Sequence, residues 1–343
     1  MKRATVVLAI LTAALLAVCA LRLLASGSGG GFAWTPDASI LSIRFSRLFS
    51  GLSVGAALGT AGVILQTLLR NPLASPDVVG VSAGAGLGVM LNLYLSATGV
   101  IGVTLATSAA WQFVPAAAGA GAVLAVLVAT AGWSVFGAKG RASTGTPAEP
   151  VTLLLTGVVI SILCGAAVMF LQYLLPDAGF GSSRLLMGSL SDDHPWRWTA
   201  LAAGAITLAV AAVAVLGGST LDALSLPHDE AVSVGVNVPN IRLTAIVVTG
   251  LLCAVAVVIA GPVGFVGLVA PHAARIALGP SSSRHAALLP AAAIAGATVI
   301  VGADTLVRTI NLGAGRMPLG VLTALLGGPT LIFLLRREAR GRA

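Results

Sequence analysis

The chain has 343 residues, of which 57% are hydrophobic and 9% charged, with a mean hydropathy of +1.02. An average soluble domain is about 25% charged, so this composition excludes that class and points to a membrane protein. The net charge of +8 does not indicate nucleic acid: only 5% of residues are aromatic, and no basic patch interleaves with them.

Apolar runs near the roughly 20 residues needed to cross about 30 Å of hydrocarbon recur throughout. In chain order they predict an all-α polytopic protein with ten transmembrane helices, at about 4–24, 45–69, 78–98, 112–136, 151–175, 197–216, 243–261, 263–279, 286–308 and 318–335. Lys2 and Arg3 precede the first run as in a signal peptide. That run continues to Leu24, beyond the roughly 7–15 residues of a signal core, and no small-x-small cleavage site follows a short core, so it reads as the first span. Ser26–Ser39, with its Gly-Ser-Gly-Gly-Gly run, reads as a flexible outer loop, and Gly137–Pro150 as a polar inner one. Within Pro176–Pro195, Ser182–Leu190 suits a short interfacial helix. Gly217–Arg242 is the longest inner loop. It spaces Leu221, Leu224, Ala231, Val234 and Val236 helically about Pro227, predicting two short amphipathic helices that offer a docking surface to a soluble partner.

An even number of spans puts both termini on one side. Lys2, Arg3, Arg70, Lys139, Arg141, Arg242, Arg275, Arg284, Arg336, Arg337, Arg340 and Arg342 share it, while Arg22, Arg44, Arg47, Arg184, Arg197, Arg308 and Arg316 lie opposite. The positive-inside rule then places both termini in the cytoplasm. The arginines on the outer side are numerous for that rule; interfacial anchoring accounts for them in part.

Catalytic signatures are missing. No G-x-x-x-x-G-K-[ST] occurs and the only lysines are Lys2 and Lys139, so the chain is not an ATPase by itself. HExxH, GxSxG and paired carboxylates within a span are absent too, and Cys19, Cys164 and Cys253 are scattered apolar-run residues without metal or disulfide spacing. His272 reads as a hydrogen-bonded packing residue. Asp304 is the one acidic residue well inside a span, and Arg308 follows four residues on, where an i,i+4 pair neutralises it. No second acidic residue lies deep enough to complete a proton relay.

Two stretches break the apolar helices with Gly and Pro: Arg70-Asn-Pro-Leu-Ala-Ser-Pro-Asp-Val-Val-Gly-Val-Ser-Ala-Gly84 and Ala260-Gly-Pro-Val-Gly-Phe-Val-Gly-Leu-Val-Ala-Pro-His-Ala-Ala-Arg275. Such breaks mark where backbone leaves regular helix beside a transport path. With Ile43-Arg-Phe-Ser-Arg-Leu48, Gln66 to Gly86, Leu185-Leu-Met-Gly-Ser-Leu190, Ala303-Asp-Thr-Leu-Val-Arg308 and Met317 to Pro329, they resemble, in order, the motifs of the FecCD-type permease subunits of bacterial ATP-driven importers for iron-siderophores, haem and cobalamin. Ser46 stands where the family usually has proline, and Leu185 where it has an aromatic.

That resemblance, covering Ser42 to Arg337, implies a single permease domain of the type II ABC importer fold over 1–343. Inverted-topology halves would fall at about 42–175 and 243–337, with a cytoplasmic coupling loop at 217–242. It implies a multi-pass protein of the bacterial cytoplasmic (inner) membrane, among membrane lipid. Its partners would be two ATP-binding-cassette ATPase subunits, a second permease copy or close paralogue, and an extracytoplasmic substrate-binding (lipo)protein; no cofactor or metal is implied. Matched positions give Asn71, Leu73 and, near the start of the fifth span, Thr152 as gate residues. Arg44, Arg47 and Arg308 match docking arginines for the binding protein. In the coupling loop, Leu226, His228, Asp229, Glu230 and Gly235 match ATPase contacts, although Pro227-His228 replaces the usual Gly-Glu. Gln66, Ser82, Thr156, Ser161 and Gln172 would line an uncharged path suited to a bulky chelate, with ferric siderophore the first choice and haem or cobalamin next. The rival is a secondary transporter driven by an ion gradient, which needs a midplane ionisable cluster; an intramembrane enzyme lacks any catalytic constellation.

Overall fold

The computed structural model describes residues 2–26, 31–32, 37–100, 109–130, 148–175, 188–190, 196–226, 228–235, 237–309 and 317–341. Helices α1 (Lys2–Leu24), α2 (Ala38–Leu68), α3 (Val81–Ala97), α4 (Ala109–Thr130), α5 (Ala148–Tyr173) and α6 (Trp196–Leu216) come first. Two short helices follow, α7 (Gly218–Leu224) and α8 (His228–Ser233), and then α9 (Val238–Ala260), α10 (Val266–Leu278), α11 (His285–Thr309) and α12 (Leu319–Gly341). The predicted spans are helical over most of their described residues, and Gly217–Arg242 does hold two short helices. The expected inner loop up to residue 147 and residues 182–187 of the expected interfacial helix lie outside the described residues, and 188–190 are not helical. Among the described residues six helices (α1, α2, α5, α6, α9 and α11) are long and apolar enough to cross a membrane, fewer than the ten spans expected. In α3, α4 and α12 the apolar helical stretch is shorter, and α10 has only 13 residues.

The loop after α1 is less loose than its glycines suggest: Ala25–Ser26 pairs antiparallel with Gly31–Phe32. Helix α2 also starts seven residues before the predicted span. Asp37 caps it, accepting from the Ser39 amide at 2.8 Å and the Ser39 hydroxyl at 2.6 Å. Those bonds hold the exposed Asp37 carboxyl below its ordinary range.

Helix α2 is the hub, packing on α1, α6, α9, α10 and α11. Its approach to α11 and α10 is set by small residues. Any Cβ at Gly55 would strike Gly296, at Gly59 the Ala292 carbonyl, and at Gly62 the Gly267 carbonyl. Close contact through glycines lets helices gain dispersion where lipid supplies no hydrophobic drive. A second such seam joins Gly84 and Gly88 of α3 to Gly119 and Pro115 of α4.

Candidate functional site

The two sequence breaks are real, and they meet. After α2 the chain turns at Arg70, whose φ is 48°, and Asn71 Oδ1 accepts from the Leu73 amide at 2.9 Å to form an Asx turn. Asn71 and Leu73, the expected gate, are half-buried there. The second break runs from Gly261 (φ 68°) to Phe265 (φ 66°). Arg70 and Phe265 are the described non-glycine residues with positive φ, a costly conformation that persists where the surroundings enforce it.

The first connector climbs back into the protein. Gly62 packs on Gly267, and a Cβ on Gly267 would face Pro76 Cδ at 2.6 Å, so the connector regains a level roughly 9 Å above the end of α2 at 1.5 Å per residue. There Asp77 Oδ2 accepts from the Phe265 amide at 2.9 Å. Phe265 is the N-cap position of α10 and makes no side-chain cap of its own, so Asp77 caps that helix from another segment. Irregular backbone at depth must find such partners within the protein. Ser161 Oγ of α5 donates to the Asp77 carbonyl at 3.1 Å, and the Ser189 amide donates to Ala260 O at 2.8 Å at the far side of the second break. Asp77 is therefore a second deep acidic group, contrary to the expectation that Asp304 stood alone; the signal was a carboxylate inside an irregular Pro-rich stretch.

The loop of α7 and α8 lies against the first break. Leu221, Leu224 and Ala231 are buried, as expected of an amphipathic pair, whereas Val234 is 65% exposed and Leu226 is 36% exposed. Glu230 and Gly235 are exposed, and Gly235 takes φ 82°. The His228 and Asp229 side chains, Val236, and the Thr152 side chain lie outside what is described. Arg70 donates to the carbonyls of Leu224, at 3.3 Å, and Leu226. Asp222, His285 and Thr67, which sequence reasoning missed, also join loop to helix here.

At the opposite end, Asp304 is held by residues from beyond its own helix. Its Oδ2 accepts from Arg22 Nε at 2.5 Å and its Oδ1 from Arg47 Nη1 at 2.8 Å, so two other helices supply the charge. Arg44 is buried and donates to Leu23 O. The expected docking pair Arg44 and Arg47 is thus engaged inside the chain; Arg308 is half-buried at the end of α11.

The expected path residues divide. Gln66 and Ser82 are buried within the chain, and Gln66 Oε1 accepts from Arg275 Nη1 at 2.5 Å. Thr156, Ser161 and Gln172 are half-buried along α5, which exposes Leu155, Val159, Ile162 and Phe170. His272 Nδ1 lies 3.0 Å from Leu268 O, the packing role expected. Among the described residues no cluster of His, Cys, Asp and Glu is arranged to hold a metal ion.

The sequence model of the FecCD transport family matches residues 4–337. The hemin transport system permease protein HmuU of Yersinia pestis is 35% identical over 304 residues, covering 88% of this chain and 84% of that protein. The cobalamin import system permease protein BtuC of Halobacterium salinarum is 34% identical over 308 residues, covering 89% and 76%. The Fe(3+) dicitrate transport system permease protein FecC of Escherichia coli is 31% identical over 305 residues, covering 88% and 84%. A solved inward-facing ABC transporter of the metal-chelate type superposes with a TM-score of 0.76 at 28% identity, covering 97% of this chain and 99% of that one.

Proposed function

The chain belongs to the FecCD transport family, the permease subunits of ATP-binding-cassette importers, and from that premise we propose a ferric siderophore, or a related chelate such as haem or cobalamin, as its cargo. Ten crossings in two inverted halves, 42–175 and 243–337, carry the path, with both termini in the cytoplasm. Two copies, or this chain and a close paralogue, enclose it between two ATPase subunits inside and a binding (lipo)protein outside. Hydrolysis belongs to the ATPases; this chain converts their motion into access from one side and then the other.

The observation that carries this reading is the joining of three pieces at one end: the turn at Asn71 and Leu73, the broken helix at Phe265, and the loop of α7 and α8. A force applied to the loop reaches the gate turn through Arg70, and the gate turn reaches the second break through Asp77. Exposed Val234, Leu226 and Glu230 suit an ATPase groove, apolar with a charged rim. Thr156, Ser161 and Gln172 on α5 line the passage once a second copy faces them. Gln66 and Ser82 border it from behind. On the outer rim Arg308 meets carboxylates of the binding protein, to which a guanidinium fork is well matched, while Arg44 and Arg47, engaged within the chain, hold that rim together. Asp304 has both oxygens held by arginines and Asp77 is bonded to the Phe265 amide, which favours the importer over an ion-driven carrier.

The test is uptake by vesicles holding the permease with its ATPases and binding protein, offered ferric siderophore, haem and cobalamin in turn. ATP-dependent accumulation of one chelate is expected. ATP hydrolysis without accumulation of any of the three would remove the chelate assignment.

A further inference from the structure

The inner loop is fastened to α2 by side chains that neither the gate nor the ATPase contacts employ. Asp222 on α7 accepts with Oδ1 from the backbone amide of His285, the first residue of α11, at 2.8 Å, and the same oxygen lies 2.6 Å from His285 Nδ1. The other ring nitrogen, Nε2, lies 2.7 Å from Thr67 Oγ1, in the last turn of α2 and four residues before Asn71. His285 and Thr67 are buried. With a neutral ring, Nδ1–H donates to Asp222 and Nε2 accepts from the Thr67 hydroxyl. With a protonated ring both nitrogens donate, and the hydroxyl turns to Val63 O, 2.9 Å away. Either arrangement leaves both nitrogens engaged. Arg70 adds a parallel tie to the carbonyls of Leu224, the last residue of α7, and Leu226 just beyond it.

We infer that Asp222, His285 and Thr67 form a strut that carries displacement of the inner loop to the end of α2 and so to the gate turn. Helix α7 has only seven residues, and apart from these hydrogen bonds it meets its neighbours through buried, apolar or small residues, Gly218, Leu221, Ala223 and Leu224. Apolar contacts are non-directional and allow one surface to slide on another. Hydrogen bonds with a charged acceptor fix direction as well as distance, which a lever requires. The chain itself makes no such link, since Asp222 and Thr67 are joined covalently only through the intervening helices. Asp222 and His285 are thus positioning residues for transport. The inference rests on the reading that the loop meets the ATPase and that Leu73 marks the gate.

The experiment uses the whole transporter in nanodiscs, ATPases bound, with Cys19, Cys164 and Cys253 replaced by alanine and a Leu73→Cys probe. The rate of thiol labelling is compared without nucleotide and with ATP trapped by vanadate. In the otherwise unaltered chain the two rates should differ. Thr67→Val, which keeps the side-chain shape, and Asp222→Ala should shrink that difference at least fivefold while ATPase co-purification and hydrolysis persist. Asp222→Asn keeps an acceptor for the His285 amide and should restore more than half of it. An undiminished difference in Thr67→Val and Asp222→Ala overturns the strut. So does loss of ATPase co-purification in step with the labelling change, because the contacts would then only shape the docking surface. Equal rates in the unaltered chain would instead overturn the gate assignment and the inference with it.

Discussion

Replacing Asp304 with asparagine should destabilise the protein more than any other single isosteric change near that end of α11. The Asp304 side chain is 3% exposed, its partner Arg22 is 1% exposed and Arg47 is 11% exposed, so none of the three charges can fall back on water without the helices moving. Asparagine preserves the volume and one acceptor oxygen but leaves two guanidinium groups facing each other. Removing one partner of a buried ion pair costs about 3–5 kcal/mol. Polar groups in a membrane also find substitutes in the unfolded reference state, which argues for about 3 kcal/mol, the lower end of that range. The logic has a second arm. Since desolvating three charges consumes most of what their attraction returns, the triple variant Arg22→Met, Arg47→Met, Asp304→Leu should lie within about 2 kcal/mol of the parent. Equilibrium unfolding in mixed micelles titrated with SDS measures both. Asp304→Asn indistinguishable from the parent, or a triple variant worse than the single, would refute this account of the cluster.

Charge reversal of Asp229 with Glu230 should weaken ATPase co-purification, while the isolated chain should show no ATP hydrolysis; undiminished co-purification removes the loop from coupling. Alanine at both Asn71 and Leu73 should raise passive leak from chelate-loaded vesicles without loss of assembly, and leak at the parent level would place the gate elsewhere. Arg308→Glu should abolish binding-protein-dependent uptake while insertion persists, and Arg47→Glu is avoided because it removes a direct partner of buried Asp304; unchanged binding by the purified complex at low salt returns Arg308 to an anchor. Asp37→Ala should speed hydrogen exchange at the first turn of α2 near neutral pH. Because the Asp37 carboxyl is held below its ordinary value, its contribution is complete above that value and lost as pH falls through the lowered one, so the difference from the parent should vanish in strong acid.

What could be read from the chain was whatever leaves a local trace. Long apolar runs announce helices, and the Gly/Pro clusters at 70–84 and 260–275 announced the two breaks, because proline removes a donor and disfavours helix before it. The short helices about Pro227 were legible for the same reason. The partners of Asp304 were not, since the i,i+4 rule looks only along one helix while Arg22 is 282 residues away. Asp77 was passed over because it sits in a segment without periodicity, where the pattern that reveals burial is lost. Likewise Thr67, His285 and Asp222 are ordinary residues at a helix end, a helix start and a loop, and only folding brings them together. Val234 fitted a helical stripe yet faces outward; spacing alone does not tell a face turned to the core from one turned to a partner.

The arginine cluster around Asp304 also has a history in time. Arg22 and Arg47 enter the membrane with the first two helices, but the carboxylate that accepts from Arg47 is made 257 residues later. At about 5–20 residues per second, synthesis leaves these cations waiting roughly 13–50 s. A chain cut short anywhere before residue 304 therefore lacks the carboxylate that both guanidinium groups share in the folded protein.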